Sequence, residues 1–117
     1  IPTLTDGTYT PTITNDTNVA ASTAYTCFYL RVGGVVHVSG RIDIDATATG
    51  DTFWSITLPV ASALASADQL AGTFADDTGT VSGSVKASPA SDEALFRVSA
   101  NAPASTGYWF TFTYRVV

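Results

Sequence analysis

Hydrophobic residues recur at every second position along most of this sequence of 117 residues. The clearest example is the stretch 107–117, whose alternating apolar residues are Tyr108, Phe110, Phe112, Tyr114 and Val116. Successive side chains of a β-strand point to opposite faces, so a period of two is typical of a strand with one buried face. No stretch has the period of an amphipathic helix. We therefore expect an all-β protein.

Turn-forming residues divide this pattern into about eight strands. Clusters of Gly, Pro, Asn and Asp end each apolar run, and one such cluster predicts a turn at 15–18. Pro11 has no amide hydrogen for a ladder, which predicts an edge position or a bulge. The Ala-rich stretch 61–70 predicts at most one helical turn in a loop. The predicted strands span residues 7–14, 25–32, 35–45, 52–60, 70–75, 80–87, 94–100 and 107–117.

A hairpin around Gly33 and Gly34 is the strongest local prediction, because glycines supply the positive φ angles that a tight two-residue turn requires. The face predicted to lie in the core carries Tyr25, Cys27, Tyr29, Val36, Val38, Ile42 and Ile44. The opposite face carries Phe28, Leu30, Val32, Val35, His37, Ser39, Arg41 and Asp43. Near the turn this opposite face is too apolar for free solvent, so we expect another subunit to cover part of it.

The strand spacing predicts one β-sandwich domain over residues 1–117, of jelly-roll type, with an up-and-down barrel as the alternative. A chain of this size buries enough surface to fold without a metal ion. Cys27 is the only cysteine, which excludes an intrachain disulfide. The sequence begins at Ile1 and contains no methionine. We therefore expect the C-terminal part of a longer protein, or a processed chain.

The charge balance limits the possible partners. Five Lys and Arg against ten Asp and Glu give a net charge of -5. Phosphate backbones and anionic membranes would be repelled, so neither nucleic acid nor membrane is an expected partner. No apolar run approaches the roughly 20 residues of a membrane span, so we expect no membrane insertion.

Residues for catalysis are few, and we expect no enzyme and no cofactor. His37 is the only histidine, and no Gly-x-Ser-x-Gly motif is present. His37 is interpreted as a packed or surface strand residue, and Cys27 as a small buried hydrophobe. Asp43 and Asp45 point to the same side of a strand, where two carboxylates suit glycoside hydrolysis or calcium binding. A solvated strand end is the favoured interpretation of that pair.

The two tryptophans differ in phase. Trp54 alternates with apolar residues and is predicted to lie in the core, whereas Trp109 shares its face with Thr111 and is predicted to meet a glycan or another subunit. Arginines within strands suit fixed pairing with carboxylates, within or between chains. The candidate glycan or interface residues are Trp109, Arg115, Arg31 and His37.

Six segments along the chain carry strand and turn signatures: GTYTPT at 7–12, AYTCFYLRVG at 24–33, VSGRIDID at 38–45, LPVAS at 58–62, LAGT at 70–73 and FTFTY at 110–114. Together they resemble a β-domain that recurs at the C-termini of virion proteins of tailed bacteriophages and prophages, namely tail-fibre and related surface fibre proteins. This resemblance brings no catalytic residues with it.

The resemblance implies a homotrimer at the surface of a phage particle, in contact with other virion proteins and with a polysaccharide of the host surface. The function expected on this basis is a non-enzymatic structural module of the virion. The alternative is a free-standing carbohydrate-binding module, for which the exposed indole of Trp109 would be the binding group.

Overall fold

The computed structural model describes residues 4–100 and 105–117, so Ile1, where the predicted domain begins, lies outside the described residues. The described chain forms strands and one short 3₁₀ turn, Ala67–Gln69, which confirms the single helical turn predicted for the Ala-rich stretch. The strands are β1 (Leu4–Tyr9), β2 (Ile13–Thr17), β3 (Val19–Ala24), β4 (Cys27–Val32), β5 (Val35–Ala46), β6 (Gly50–Ile56), β7 (Leu70–Asp76), β8 (Ser82–Ser88), β9 (Glu93–Ala100) and β10 (Ser105–Arg115).

The strands form one curled antiparallel sheet in the order β1-β4-β5-β10-β7-β8-β9-β6-β2. Strand β5 is long enough to pair along one edge with β4, through residues 35–39, and with β3, through residues 42–46. Because β2 pairs with β6 and the following strand β3 pairs with β5, the chain links distant parts of this order. The sheet therefore curls over its own core, which confirms the all-β, sandwich-like character.

The predicted hairpin at Gly33 and Gly34 is confirmed, with Tyr29 opposite Val38 as expected. Of the two turn glycines, Gly33 alone has a positive φ, of 60°, as in type II′ turns. The prediction for Tyr25 was wrong. Ala24, not Tyr25, lies opposite Ile42, because the chain shifts by one residue between β3 and β4. A shift of one residue moves a side chain to the other face, so Tyr25 lies outside the core.

The N-terminal prediction was also wrong in part. The predicted strand 7–14 is two strands, β1 and β2, which are separated at buried Pro11 and pair with different partners. The predicted turn 15–18 is confined to Asn18, with φ of 61°. The side chain of Asn18 holds this turn by donating from Nδ2 to the carbonyl of Ala48 and to Thr52 Oγ1, at 2.7 and 2.9 Å. Strand β3 was not predicted, because VAASTA contains no alternating large apolar residues.

Strand β6 ends at Ile56, earlier than predicted, and Leu58 packs partly against the core beyond it. The alternation that places Trp54 in the core also predicts that its neighbour Ser55 faces outward, but Ser55 is buried, and its hydroxyl donates to Asp16 Oδ2 at 2.6 Å. The last strand, β10, lies centrally in the sheet, between β5 and β7. In the part of the chain that the structure describes, no helix could span a membrane.

The inner face of the sheet forms a core rich in aromatic rings. Trp54 is fully buried, as predicted, and its ring centroid lies 5.3 Å from that of Phe74 and 5.5 Å from that of Phe96. Gly72 is needed for close strand packing, because a Cβ there would lie 2.1 Å from the carbonyl oxygen of Thr111. Cys27 is a buried free thiol, as predicted, and burial raises its pKa.

Candidate binding surface

The outer surface of β1, β4 and β5 exposes aliphatic side chains, as the sequence predicted for the hairpin. Pairing in register places Leu4 opposite Val32, and Val32 opposite Val35. Residues opposite each other in a sheet share a face, so these side chains form a continuous row with Leu30 beside it. Their exposed fractions range from 41% to 72%. We call this surface the apolar strip, and it consists of Leu4, Leu30, Val32 and Val35.

Beside the apolar strip lies a shallow depression of about 670 Å³. Two exposed aromatic rings stand at its sides, Phe28 on β4 and Trp109 on β10. Its floor is a row of small hydroxyl side chains that cross three neighbouring strands. We call this surface the aromatic depression, and its principal lining residues are Phe28, Ser39, Arg41, Thr73, Trp109 and Thr111.

The guanidinium of Arg41 is held between two rings at one end of the aromatic depression. It lies 4.9 Å from the ring centroid of Tyr25 and 5.0 Å from that of Trp109. Contacts of this kind attract a cation to the face of a ring. Arg41 Nη2 also pairs with Asp43 Oδ1 at 3.1 Å. The Arg41 cluster, consisting of Tyr25, Arg41, Asp43 and Trp109, is therefore held by several contacts at once.

Tyr25 completes this cluster by donating its hydroxyl to Asp43 Oδ2 at 2.6 Å. This hydrogen bond raises the pKa of Tyr25, because it favours the protonated phenol. Gly107 lies opposite Asp43 and leaves room for the ion pair. A Cβ at Gly107 would lie 3.0 Å from Asp43 Oδ1 and 3.1 Å from Arg41 Nε. Sequence reasoning did not identify this cluster, because the shift in register at Tyr25 carries no local signature.

His37 is an exposed strand residue between the apolar strip and the aromatic depression, in agreement with its prediction as a packed or surface histidine. Its Nδ1 lies 3.1 Å from Thr113 Oγ1, and its Nε2 lies 3.2 Å from Thr111 Oγ1. A hydroxyl both donates and accepts, so either neutral tautomer of the imidazole is satisfied by these two partners. The two threonines thus fix the plane of the ring.

The two remaining candidates, Arg115 and Arg31, lie on opposite faces. Arg115 is exposed on the outer face, opposite Val35 at the end of the apolar strip. Arg31 pairs with Val36, whose side chain is fully buried, so Arg31 points to the inner side of the sheet. Its Nε donates to the carbonyl of Gly33 at 2.9 Å. The structure thus brings Trp109, His37 and Arg115 to one face and separates Arg31 from them.

Asp43 and Asp45 do not form a pair of free carboxylates. Both oxygens of Asp43 accept hydrogen bonds, Oδ1 from Arg41 and Oδ2 from Tyr25. Within residues 4–100 and 105–117, no group of three or more His, Cys, Asp or Glu side chains is placed to hold a metal ion. Asp43 thus contributes to the position of Arg41.

No protein-family model matches this sequence, and neither the curated proteins nor the solved structures give a match. The resemblance to phage fibre domains therefore rests on the six sequence segments alone. The chemistry of the outer surface provides the independent basis for a function. On that surface the apolar strip and the aromatic depression lie side by side on the same strands.

Proposed function

We propose that this protein is a non-enzymatic structural module that assembles with copies of itself through the apolar strip. The observation that carries the proposal is the continuous exposed row of Leu4, Val32 and Val35, together with Leu30, on the outer face of the sheet. Burial of apolar surface stabilises association by about 25 cal/mol per Å² removed from water. Contiguous exposed apolar surface on a small domain marks an interaction site.

A second copy suits this surface because of the charges at its borders. Asp6 on β1 lies opposite Leu30 at one side, and Arg115 on β10 lies opposite Val35 at the other. A head-to-tail contact between copies brings the acid of one copy towards the base of the next. Such a heterologous contact forms a closed ring when its rotation closes. Elsewhere the net charge of -5 makes copies repel one another, so the strip is the favoured contact.

The sequence resemblance supports the finer part of the proposal. In this proposal the chain is a jelly-roll-like domain of a tail-fibre or related surface protein of a phage, and it forms a homotrimer at the particle surface. Its other partners are neighbouring virion proteins and a polysaccharide of the host surface. A head-to-tail contact through the strip is compatible with three-fold symmetry when its rotation closes the ring.

The test measures the mass of the assembly in solution by sedimentation equilibrium at micromolar concentration. We expect about three times the monomer mass of 12.1 kDa. The double variant Val32→Thr with Val35→Thr keeps the branched shape of both side chains and makes the strip polar, so we expect it to sediment as a monomer. Val117→Thr is the matched control, because Val117 is exposed at 54%, against 46% for Val32 and 41% for Val35, and lies outside the strands.

Circular dichroism and thermal unfolding of both variants check that the fold is kept. A wild-type protein that remains a monomer at micromolar concentration would overturn self-association. An assembly that persists unchanged in the Val32 and Val35 double variant would show that the strip is not the interface. A wild-type dimer that the double variant abolishes would support the strip as the interface and contradict the homotrimer.

The second candidate function is a free-standing carbohydrate-binding module. It is favoured by the exposed indole of Trp109, 47% of which is accessible beside a row of hydroxyl side chains. A flat indole face packs against the apolar face of a sugar ring. A monomeric wild-type protein that binds a glycan and loses this binding in Trp109→Ala would favour this candidate.

A further inference from the structure

We infer that the aromatic depression is a binding site for an uncharged glycan, with one sugar ring stacked on Trp109. The inference rests on the glycan-binding part of the proposed function and is independent of self-association. The aromatic depression and the apolar strip lie at different positions along β5 and β10. Trp109 is opposite Arg41, whereas the strip residue Val35 is opposite Arg115 at the other end of β10. The two surfaces share no residue, and they adjoin where Leu30 follows Phe28 on the outer face of β4.

The rings of Phe28 and Trp109 provide two apolar walls. They belong to β4 and β10, which flank β5, so their strands lie about 10 Å apart. Phe28 is level with Ser39 and Thr111, so Trp109 is offset from it by two residues along β10. Their exposed fractions are 59% and 47%. A pyranose ring has an apolar face of C–H groups, and this face gains favourable contact when it covers an exposed aromatic ring. The spacing leaves one wall for each of two neighbouring sugar units.

The floor beside these rings carries hydroxyl groups: Ser39 lies on β5, between the strands of the two rings, Thr111 lies on β10 next to Trp109, and Thr73 lies beyond it on β7. The register aligns Ser39 with Thr111, and Thr111 with Thr73, in one row across β5, β10 and β7. Each hydroxyl is both a donor and an acceptor, as is each hydroxyl of a sugar. The two aromatic rings suit the apolar C–H face of a pyranose, and the row of hydroxyl side chains suits its hydroxyl groups.

The charges in and around the depression favour an uncharged ligand. Of the described residues that line the depression, Arg41 alone carries a charge, and Asp43 neutralises it through the pair at 3.1 Å. The whole chain carries a net charge of -5, which repels acidic polysaccharides and acidic peptides. A neutral hexose or N-acetylhexosamine chain meets no such repulsion.

Arg41 is a positioning residue in this site, because it acts through Trp109. Its guanidinium covers one face of the indole and is fixed from behind by the ring of Tyr25. A binding wall that is already ordered loses less side-chain freedom when the ligand arrives. Gly107 permits this arrangement, since it leaves space for the guanidinium and the carboxylate of Asp43.

The test uses the two indole N–H signals in the ¹⁵N NMR spectrum of the full chain. The probes are linear hexasaccharides of glucose, of N-acetylglucosamine and of galacturonic acid. We expect at least one of the two neutral probes to shift the Trp109 signal in a saturable manner, and the galacturonic acid probe to leave it unchanged. Trp54 is fully buried and provides an internal control whose signal stays in place.

Variants locate the binding site. Trp109→Ala lacks the reporting indole, so its binding is followed by the backbone amide signals of the depression. We expect this variant to bind the neutral probe at least tenfold more weakly, and Phe28→Ala several-fold more weakly. Arg41→Gln is expected to weaken it several-fold and to shift the Trp109 signal before any probe is added, with partial rescue in Arg41→Lys. Arg97→Gln is the matched control, because Arg97 also stacks on a ring, Phe53 at 4.8 Å, in another part of the outer surface.

Three results would overturn the inference: no shift with either neutral probe, a shift with the acidic probe alone, or unchanged binding in Trp109→Ala with a native spectrum. The same titration in the Val32 and Val35 double variant separates the two proposals. Binding retained by that variant as a monomer supports the glycan site alone. Assembly of the wild type without binding of either neutral probe keeps self-association and removes the glycan site.

Discussion

The two faces of strand β10 differ strongly in burial. On the inner face Tyr108, Phe110, Phe112 and Tyr114 are at most 4% exposed, whereas on the outer face Trp109 is 47% exposed. One strand therefore supplies both the centre of the core and one wall of the aromatic depression. Substitutions on the inner face of β10 therefore test the stability of the fold, and substitutions of neighbouring residues on its outer face test binding.

The partners of each face account for this difference. On the inner side, the ring centroid of Phe112 lies 5.8 Å from that of Phe110 and 6.1 Å from that of Tyr114, with Phe96 packed across them. On the outer side, the cross-strand neighbours of Thr111 are Ser39 and Thr73, and His37 is hydrogen-bonded to it. Aromatic burial stabilises the fold, while the outer side chains contribute little to stability and remain accessible.

The largest expected effect is on the inner face. Phe112→Ala removes a ring that is 1% exposed and should lower the free energy of unfolding by about 3–5 kcal/mol. Thr111→Ala, one residue away on the exposed face, should change it by no more than about 0.5 kcal/mol. Urea denaturation followed by circular dichroism measures both. Equal losses in the two variants would show that the faces do not differ in the way their burial indicates.

An intermediate effect is expected at Tyr114, where the inner face ends. Its hydroxyl donates to the carbonyl of Val60 at 2.7 Å and accepts from the amide of Val60 at 3.1 Å. Tyr114→Phe leaves both backbone groups without this partner and should cost about 1–3 kcal/mol at pH 7. The variant should also respond differently to alkali, because burial raises the pKa of Tyr114 to about 12.

The pH dependence has a definite sign. The folded protein holds the phenol proton of Tyr114 more tightly than the unfolded chain does. This group therefore contributes fully to stability below the ordinary tyrosine pKa of about 10, and its contribution is lost as the pH rises towards 12. Burial also raises the pKa of Tyr9, which adds to the alkaline loss. Urea unfolding at pH 7, 10 and 11 should show a smaller decline in Tyr114→Phe than in the wild type. An identical decline in both proteins would argue against this role of Tyr114.

The smallest expected effect is the difference in coupling energy between two ion pairs on the outer surface, Arg41–Asp43 and Arg97–Asp51. Arg41 and Asp43 are 44% and 20% exposed at the side chain, whereas Arg97 and Asp51 are 55% and 64% exposed. Double-mutant cycles with Arg→Gln and Asp→Asn should give a coupling of about 0.5–1 kcal/mol for the first pair and under about 0.3 kcal/mol for the second. A stronger coupling in the more exposed pair would contradict the ordering of Arg41 by its two rings.

Local pattern was sufficient for the hairpin and for the last strand. Both have an uninterrupted period of two, and the hairpin also has a glycine turn, so the pairing of Tyr29 with Val38 and the burial of Phe112 could be predicted. Strand β3 could not be predicted, because its small residues carry no pattern and it is held through pairing with the distant β5. The Arg41 cluster could not be predicted for a related reason, since it depends on a shift of one residue at Tyr25.

The sequence by itself determined the all-β character, the alternation of β10 and the exposed apolar face of the hairpin, because all three follow from the side-chain period of a strand. Only the tertiary structure decided which strands lie side by side. That order places Trp109 next to Arg41, aligns Ser39 with Thr111 and Thr73, and puts Arg31 on the face opposite Arg115. The physical reason is that pairing between distant strands depends on the closure of the whole core, and no local segment contains that information.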